Sequence, residues 1–195
     1  MKFSRVSRTI AVYLALFLIA SACYSGALPE NYKQSPKGLE KQFEPFLKAY
    51  QKGDKVGQDE AFGSFRLPNA KAWFEQYFHQ EDAQQLAWDV ESEADVENAS
   101  LGTMMNLVSR GARFRASCKP YKQAEQATVK PRMNSVVPVK QVTVEQFEIE
   151  LQADGSNKRF SFLANFVYVD GAYRYVGKGA YPFWSMPDAT GPDKH

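Results

Sequence analysis

The chain is expected to be an α+β protein, with N-terminal helices packed on a curved, mostly antiparallel C-terminal sheet. Its hydrophobic period changes once, at Gly111: apolar residues recur at steps of three and four before it and alternate after it. A further signal fixes the last element. Asp170-Gly171, between Val169 and Ala172, is the two-residue loop of a tight hairpin, which needs positive φ angles.

Residues 1–22 carry Lys2, Arg5 and Arg8, no acid, an apolar run from Ile10 to Ala20, and then the small residues Ser21 and Ala22. That is the pattern of a bacterial secretion signal, with cleavage expected after Ala22. The run is shorter than the roughly 20 apolar residues of a membrane span, which disfavours the alternative of a retained anchor helix. Two maturation readings stand side by side. Ala20-Ser21-Ala22 has the small-x-small form of ordinary cleavage, while Ile19-Ala20-Ser21-Ala22-Cys23 resembles the lipobox of bacterial lipoproteins, with Ala20 where that family has leucine. The lipobox resemblance implies acylation of Cys23 and a membrane anchor through it.

Three of the 24 bases lie in the signal, leaving 21 bases against 22 acids, so the basic balance of the whole chain gives no ground for nucleic-acid binding. Residues 23–38, with Gly26, Pro29, Pro36 and Gly38 among polar side chains, are expected to form a flexible tether. A single domain is expected over 39–184, followed by a disordered tail at 185–195.

Within the domain, Leu39, Phe43, Phe46, Leu47 and Tyr50 define the first helix, with Gly53 as its stop. Pro45 suggests a start at Glu44. A polar stretch, Asp54 to Glu60, leads to a short aromatic helix over Ala72–Phe78. The longest helical pattern runs over residues 81–110, with an expected break near Asn98 to Gly102. Ala112–Cys118 alternates and reads as a half-buried strand carrying Cys118 as a small apolar residue; a Cys23–Cys118 disulfide would need ordinary cleavage and an oxidising compartment. Lys119–Ser135 reads as a long loop. Val139–Leu151 shifts its apolar set from even to odd positions, which suggests a bulge near Glu145-Gln146. Asp154-Gly155 turns the chain into a strand over Arg159–Val169. The closing hairpin then pairs Tyr168 with Tyr173, Val167 with Arg174 and Phe166 with Tyr175. One face carries an aromatic wall of Phe160, Phe162, Phe166, Tyr168, Tyr173 and Tyr175.

Chemistry-bearing motifs are sparse. Two histidines, His79 and His195, and two cysteines, Cys23 and Cys118, form no metal-ligand pattern, so no cofactor or metal is expected. Gly171 to Gly179 misses the phosphate-loop spacing and its Ser or Thr, and there is no nucleophile elbow. His79 could pair with Glu75 or Asp82, but helical spacing alone supplies such contacts, so no catalytic residue is assigned. Ala72–Ser109 holds eight acids and no base, while Arg110–Arg132 holds seven bases and one acid. The simplest account is an acidic helix lying near its own basic loop; a partner-binding surface is the other. The wall reads either as core or, where the sheet stays open, as the lining of a pocket for a small apolar or aromatic ligand. Tyr173 and Tyr175 are its pocket candidates because their hydroxyls need partners.

Helices followed by a meander ending in Phe166-Val-Tyr-Val-Asp-Gly-Ala-Tyr-Arg-Tyr175 resemble the NTF2-like, SnoaL-like cone fold of many small bacterial extracytoplasmic proteins. The alternative architectures are a cystatin-like sheet wrapped on one helix, or another α+β sandwich. The cone-fold resemblance implies either a non-enzymatic envelope module, secreted or lipid-anchored, or a small-molecule enzyme of isomerase or cyclase type. A structural partner of an envelope complex is a third expectation.

Overall fold

The computed structural model describes residues 31–121, 136, 138–140 and 142–179. The signal, Cys23, most of the 119–135 loop and the 185–195 tail therefore lie outside the described residues. The described chain is α+β. Four helices, α1 (Pro36–Lys52), α2 (Lys55–Gly63), α3 (Ala70–Phe74) and α4 (Gln80–Ser109), precede four strands. These are β1 (Phe114–Pro120), β2 (Glu145–Ala153), β3 (Arg159–Val169) and β4 (Ala172–Lys178), forming one antiparallel meander in the order β1-β2-β3-β4. No described helix is long and apolar enough to cross a membrane.

Helix α1 starts before the position expected from Pro45, and also before the boundary set at residue 39. Ser35 caps it by accepting from the Gly38 N–H at 3.1 Å, and Pro36 occupies the first turn, where its missing N–H costs nothing. Pro45 is tolerated because it lies on the solvent face with Lys41, whose unpaired carbonyl can meet water. The end of the expected tether is likewise part of the fold. The Tyr32 N–H donates to the Gly171 carbonyl at 2.7 Å, the Tyr168 hydroxyl donates to the Tyr32 carbonyl, and Gln34 donates to Glu145 at 2.6 Å.

Helix α2 replaces the expected polar stretch, nucleated by Asp54, which accepts from the Gly57 N–H at 2.9 Å. Helix α4 runs without the expected break. Gly102 sits buried in it, beside the side-chain amide oxygen of Gln58 and the Lys55 ammonium. The bulge expected at Glu145-Gln146 is absent: Glu145 opens β2 and pairs regularly with Phe166, so the shift in parity marks where the strand begins. The irregularity lies instead between Asn165 and Phe166, opposite β4.

The closing hairpin has the expected register, Tyr168 with Tyr173, Val167 with Arg174 and Phe166 with Tyr175. Its turn has φ of 50° at Asp170 and 74° at Gly171, the two positive values a two-residue I′ loop requires. A side chain at 171 would also run into Asn31. Gly171→Val is therefore expected to lower stability by about 1 to 2 kcal/mol through forced positive φ, read as an earlier urea midpoint; an unchanged midpoint would contradict this turn geometry.

Two apolar clusters lie on opposite faces of this hairpin. Phe147, Ile149, Leu151, Phe166, Tyr173 and Tyr175 pack against α1, α2 and the second half of α4. Val167 and Val176 pack against α3 and the first half of α4. Helix α4 thus serves both clusters, and β4 is buried at every position except Lys178.

Being an edge strand, β4 must satisfy its outward backbone groups, and the helical half supplies the partners. Gln42, fully buried on α1, donates from Nε2 to the Tyr173 carbonyl and accepts at Oε1 from the Tyr173 N–H, both at 2.9 Å. The Tyr175 N–H donates to the Phe65 carbonyl at 2.7 Å. Arg174 extends the same seam by donating to the Ser64 carbonyl at 2.6 Å. At the other edge, Glu40 accepts from the Cys118 N–H at 3.0 Å.

Candidate functional site

Phe166 is the hub of the aromatic wall, with ring centroids 6.0 to 6.2 Å from Phe65, Phe147, Tyr173 and Tyr175. Edge-on and tilted contacts of this kind suit the ring quadrupole and fill space. Phe160 and Phe162 stack on each other at the margin and are only partly buried.

The two tyrosines expected to line a pocket are interior residues. Tyr173 is fully buried, its ring against Phe147 and Tyr168, and its hydroxyl lies 3.3 Å from the Glu145 carboxylate. Burial, reinforced by Glu145, pushes its phenol well above the usual range. Tyr175 is 3 % exposed. Between it, Phe43, Phe62, Phe65, Phe162 and Leu101 remains a cavity of about 10 Å³, room for one water and no more. The alternation correctly put these rings on one face, but the helices close over that face.

Behind Tyr175 stands a polar cluster. Glu93 and Glu97 lie one turn apart on α4 and face the end of β4. Glu97 is almost fully buried and paired with Lys178 at 2.8 Å. One Glu93 oxygen and the Tyr175 hydroxyl are buried, neither makes a hydrogen bond among the described residues, and the two groups shift each other's pKa. Burial, then Glu97, raises the Glu93 carboxyl above its usual range, while the Tyr175 hydroxyl and Lys178 oppose the shift. The Tyr175 phenol is raised by burial and by both carboxylates.

A carboxyl raised in this way keeps its proton in the folded state at pH values where the unfolded chain has lost it. Its stabilising contribution is present below the ordinary pKa of 4.5 and is lost as pH rises through the higher folded value. Glu93→Gln is therefore expected to flatten the fall in stability as pH climbs from 4.5, read by urea unfolding across a pH series. An unchanged slope would assign that fall to another group.

Asp89, Glu93 and Glu97 recur at four-residue steps, which argues for a wet face or cationic neighbours; Glu97 has the cationic neighbour, Lys178, while Asp89 and Glu93 are half-buried. A sequence cue to the cluster does exist, since Glu97 shares a face with Val90, Ala94 and Leu101. His79 is the exposed N-cap of α4, and Glu75 pairs instead with Lys71 at 3.3 Å. Cys118 is buried, and burial pushes its thiol well above the usual range, as befits an inert apolar residue.

The described part of the basic segment does not neutralise α4. Arg113 and Arg115 both pair with Asp154, at 3.5 and 2.6 Å. Among the described residues, the cations paired with α4 are Arg66, on Asp95, and Lys178, on Glu97. Among the described residues, larger concavities include open surface grooves of about 380, 430 and 630 Å³, away from the polar cluster.

Comparison with known proteins finds no matching family model, no matching curated protein and no matching solved structure.

Proposed function

We propose that this chain is a bacterial envelope protein, exported and either lipid-anchored through Cys23 or free in the periplasm or medium, that serves as a non-enzymatic binding or accessory module. The observation that carries the non-enzymatic reading is the closed aromatic wall, where the cavity that the described residues leave beside Tyr175 is about 10 Å³. Pockets that hold small organic ligands enclose roughly 300 to 1,000 Å³. Function then resides on the outer surface. Export and anchoring rest on residues 1–23, with their basic start, short apolar run and Ser21-Ala22-Cys23. Under this reading Cys23→Ser moves the protein from the membrane to the soluble fraction, and the wild-type intact mass carries acyl chains. Unchanged membrane association, or an unacylated mass, rejects the anchor.

The Glu93–Tyr175 pair favours a second reading, a small-molecule enzyme of isomerase or cyclase type on an NTF2-like cone. A buried carboxyl with a raised pKa beside a phenol is suited to general acid–base work. Native mass spectrometry separates the two readings. A co-purified small molecule whose retention is lost in Tyr175→Phe supports the enzyme, and a bare protein mass supports the surface module.

A further inference from the structure

The acid-rich helix α4 has an outward stripe that neither the core nor the polar cluster uses. It runs through Gln85, Trp88, Ser92, Val96, Ala99, Thr103, Leu107 and Arg110, at three- and four-residue steps. Three large apolar side chains on it stand free: Trp88 is 64 % exposed, Val96 66 % and Leu107 76 %. From Trp88 to Leu107 the stripe is about 28 Å long at 1.5 Å per residue.

Charge along this helix is polarised. Glu81, Asp82, Asp89 and Glu91 lie in the first half and form no ion pair among the described residues, whereas residues 98–110 contain no acid and end in Arg110. Lys52 and Lys55 line the groove beside Arg110, and no ion pair among the described residues engages these three cations. The helix is therefore acidic at its N-terminal half and basic around its C-terminal end, which runs with the macrodipole at neither end's expense: cations sit by the carbonyl end and acids by the amide end.

We propose that this stripe is a self-association surface on which a second copy of the chain docks with its α4 antiparallel to the first. The antiparallel sense brings each acidic half against the partner's basic end, whereas a parallel pair would stack acid on acid. It also yields a register centred between Glu97 and Asn98. Trp88 then faces the partner's Leu107, Ser92 faces the partner's Thr103, and Val96 faces the partner's Ala99. Small residues near the middle permit close approach of the backbones, and the large pair at each end closes the seam. Arg110 comes against the partner's Gln85, within a turn of Glu81 and Asp89. One helix face is a small interface, so the dimer is reversible.

The test is sedimentation equilibrium of the exported chain carrying Cys23→Ser, so that no acyl group contributes to association. The expected result is a dimer mass at about 100 μM that falls toward the monomer on dilution, with Val96→Glu raising the dissociation constant at least about tenfold while the circular dichroism is unchanged. Arg110→Glu weakens association in the same way, and mixing it with an Asp89→Lys chain restores a heterodimer. A monomeric wild type at that concentration overturns the proposal. So does a dimer indifferent to Val96→Glu, or a charge-swapped mixture that does not recover.

Discussion

Phe166→Ala is expected to lower the unfolding free energy by about 3 to 5 kcal/mol, the range for a packed aromatic truncated in a core that cannot collapse around the gap. Its ring touches four other aromatic rings drawn from β2, β4 and the α2–α3 connection, so the void opens at their meeting point. Tyr175→Ala should cost a comparable amount, since Tyr175 is as well buried. Tyr175→Phe should behave differently. It removes a buried hydroxyl that has no closed hydrogen bond, and is expected to leave stability unchanged or raise it by up to about 1 to 2 kcal/mol. Urea unfolding of the three variants side by side checks the closed wall. A mild Tyr175→Ala beside a severe Phe166→Ala would mean that the ring lines open space.

Gln42→Leu is expected to cost about 2 to 5 kcal/mol, although leucine is more apolar and similar in size. The loss comes from two backbone groups left in the interior without partners, the Tyr173 N–H and carbonyl, whereas the Ser64 carbonyl, 3.0 Å from Nε2, keeps Arg174; each stranded group costs about 1 to 3 kcal/mol. Gln42→Glu separates the components, because it keeps the acceptor for the Tyr173 N–H while losing the donor, and its deficit should grow as pH rises and the carboxyl ionises. A neutral Gln42→Leu would show that water or a shifted side chain replaces the amide.

These two sites differ in how far the sequence announces them. The hairpin register was legible because the Asp170-Gly171 turn and strict alternation on both flanks leave one pairing that keeps every aromatic on the same side. Strand β3 was legible for the same reason. The role of Gln42 was not: on α1 it is one polar residue between Leu39 and Phe43, and no local spacing announces that an edge strand far along the chain needs its amide. Helix α2 was read as a polar stretch because its burial is slight, confined to Gln58 and Phe62, and its start depends on the Asp54 cap. The fate of Tyr173 and Tyr175 was hidden for a different reason. Alternation assigns a residue to a face, but whether that face is open depends on where α1, α2 and α4 come to rest.

The pair of bonds between Gln42 and Tyr173 joins positions 131 residues apart. Contacts of such sequence separation form late, because loop closure over most of the chain precedes them. The β3–β4 hairpin, by contrast, assembles from neighbours. For a polypeptide emerging N-terminus first, α1 can meet α2, β1 and β2 before β4 exists, but the Gln42 Oε1 has no Tyr173 N–H to accept from until β4 has appeared. Arrival of β4 thus completes the cooperative closure, and a nascent chain stopped before it should remain protease-sensitive around Gln42 and the Phe65 segment, whose partners lie on β4.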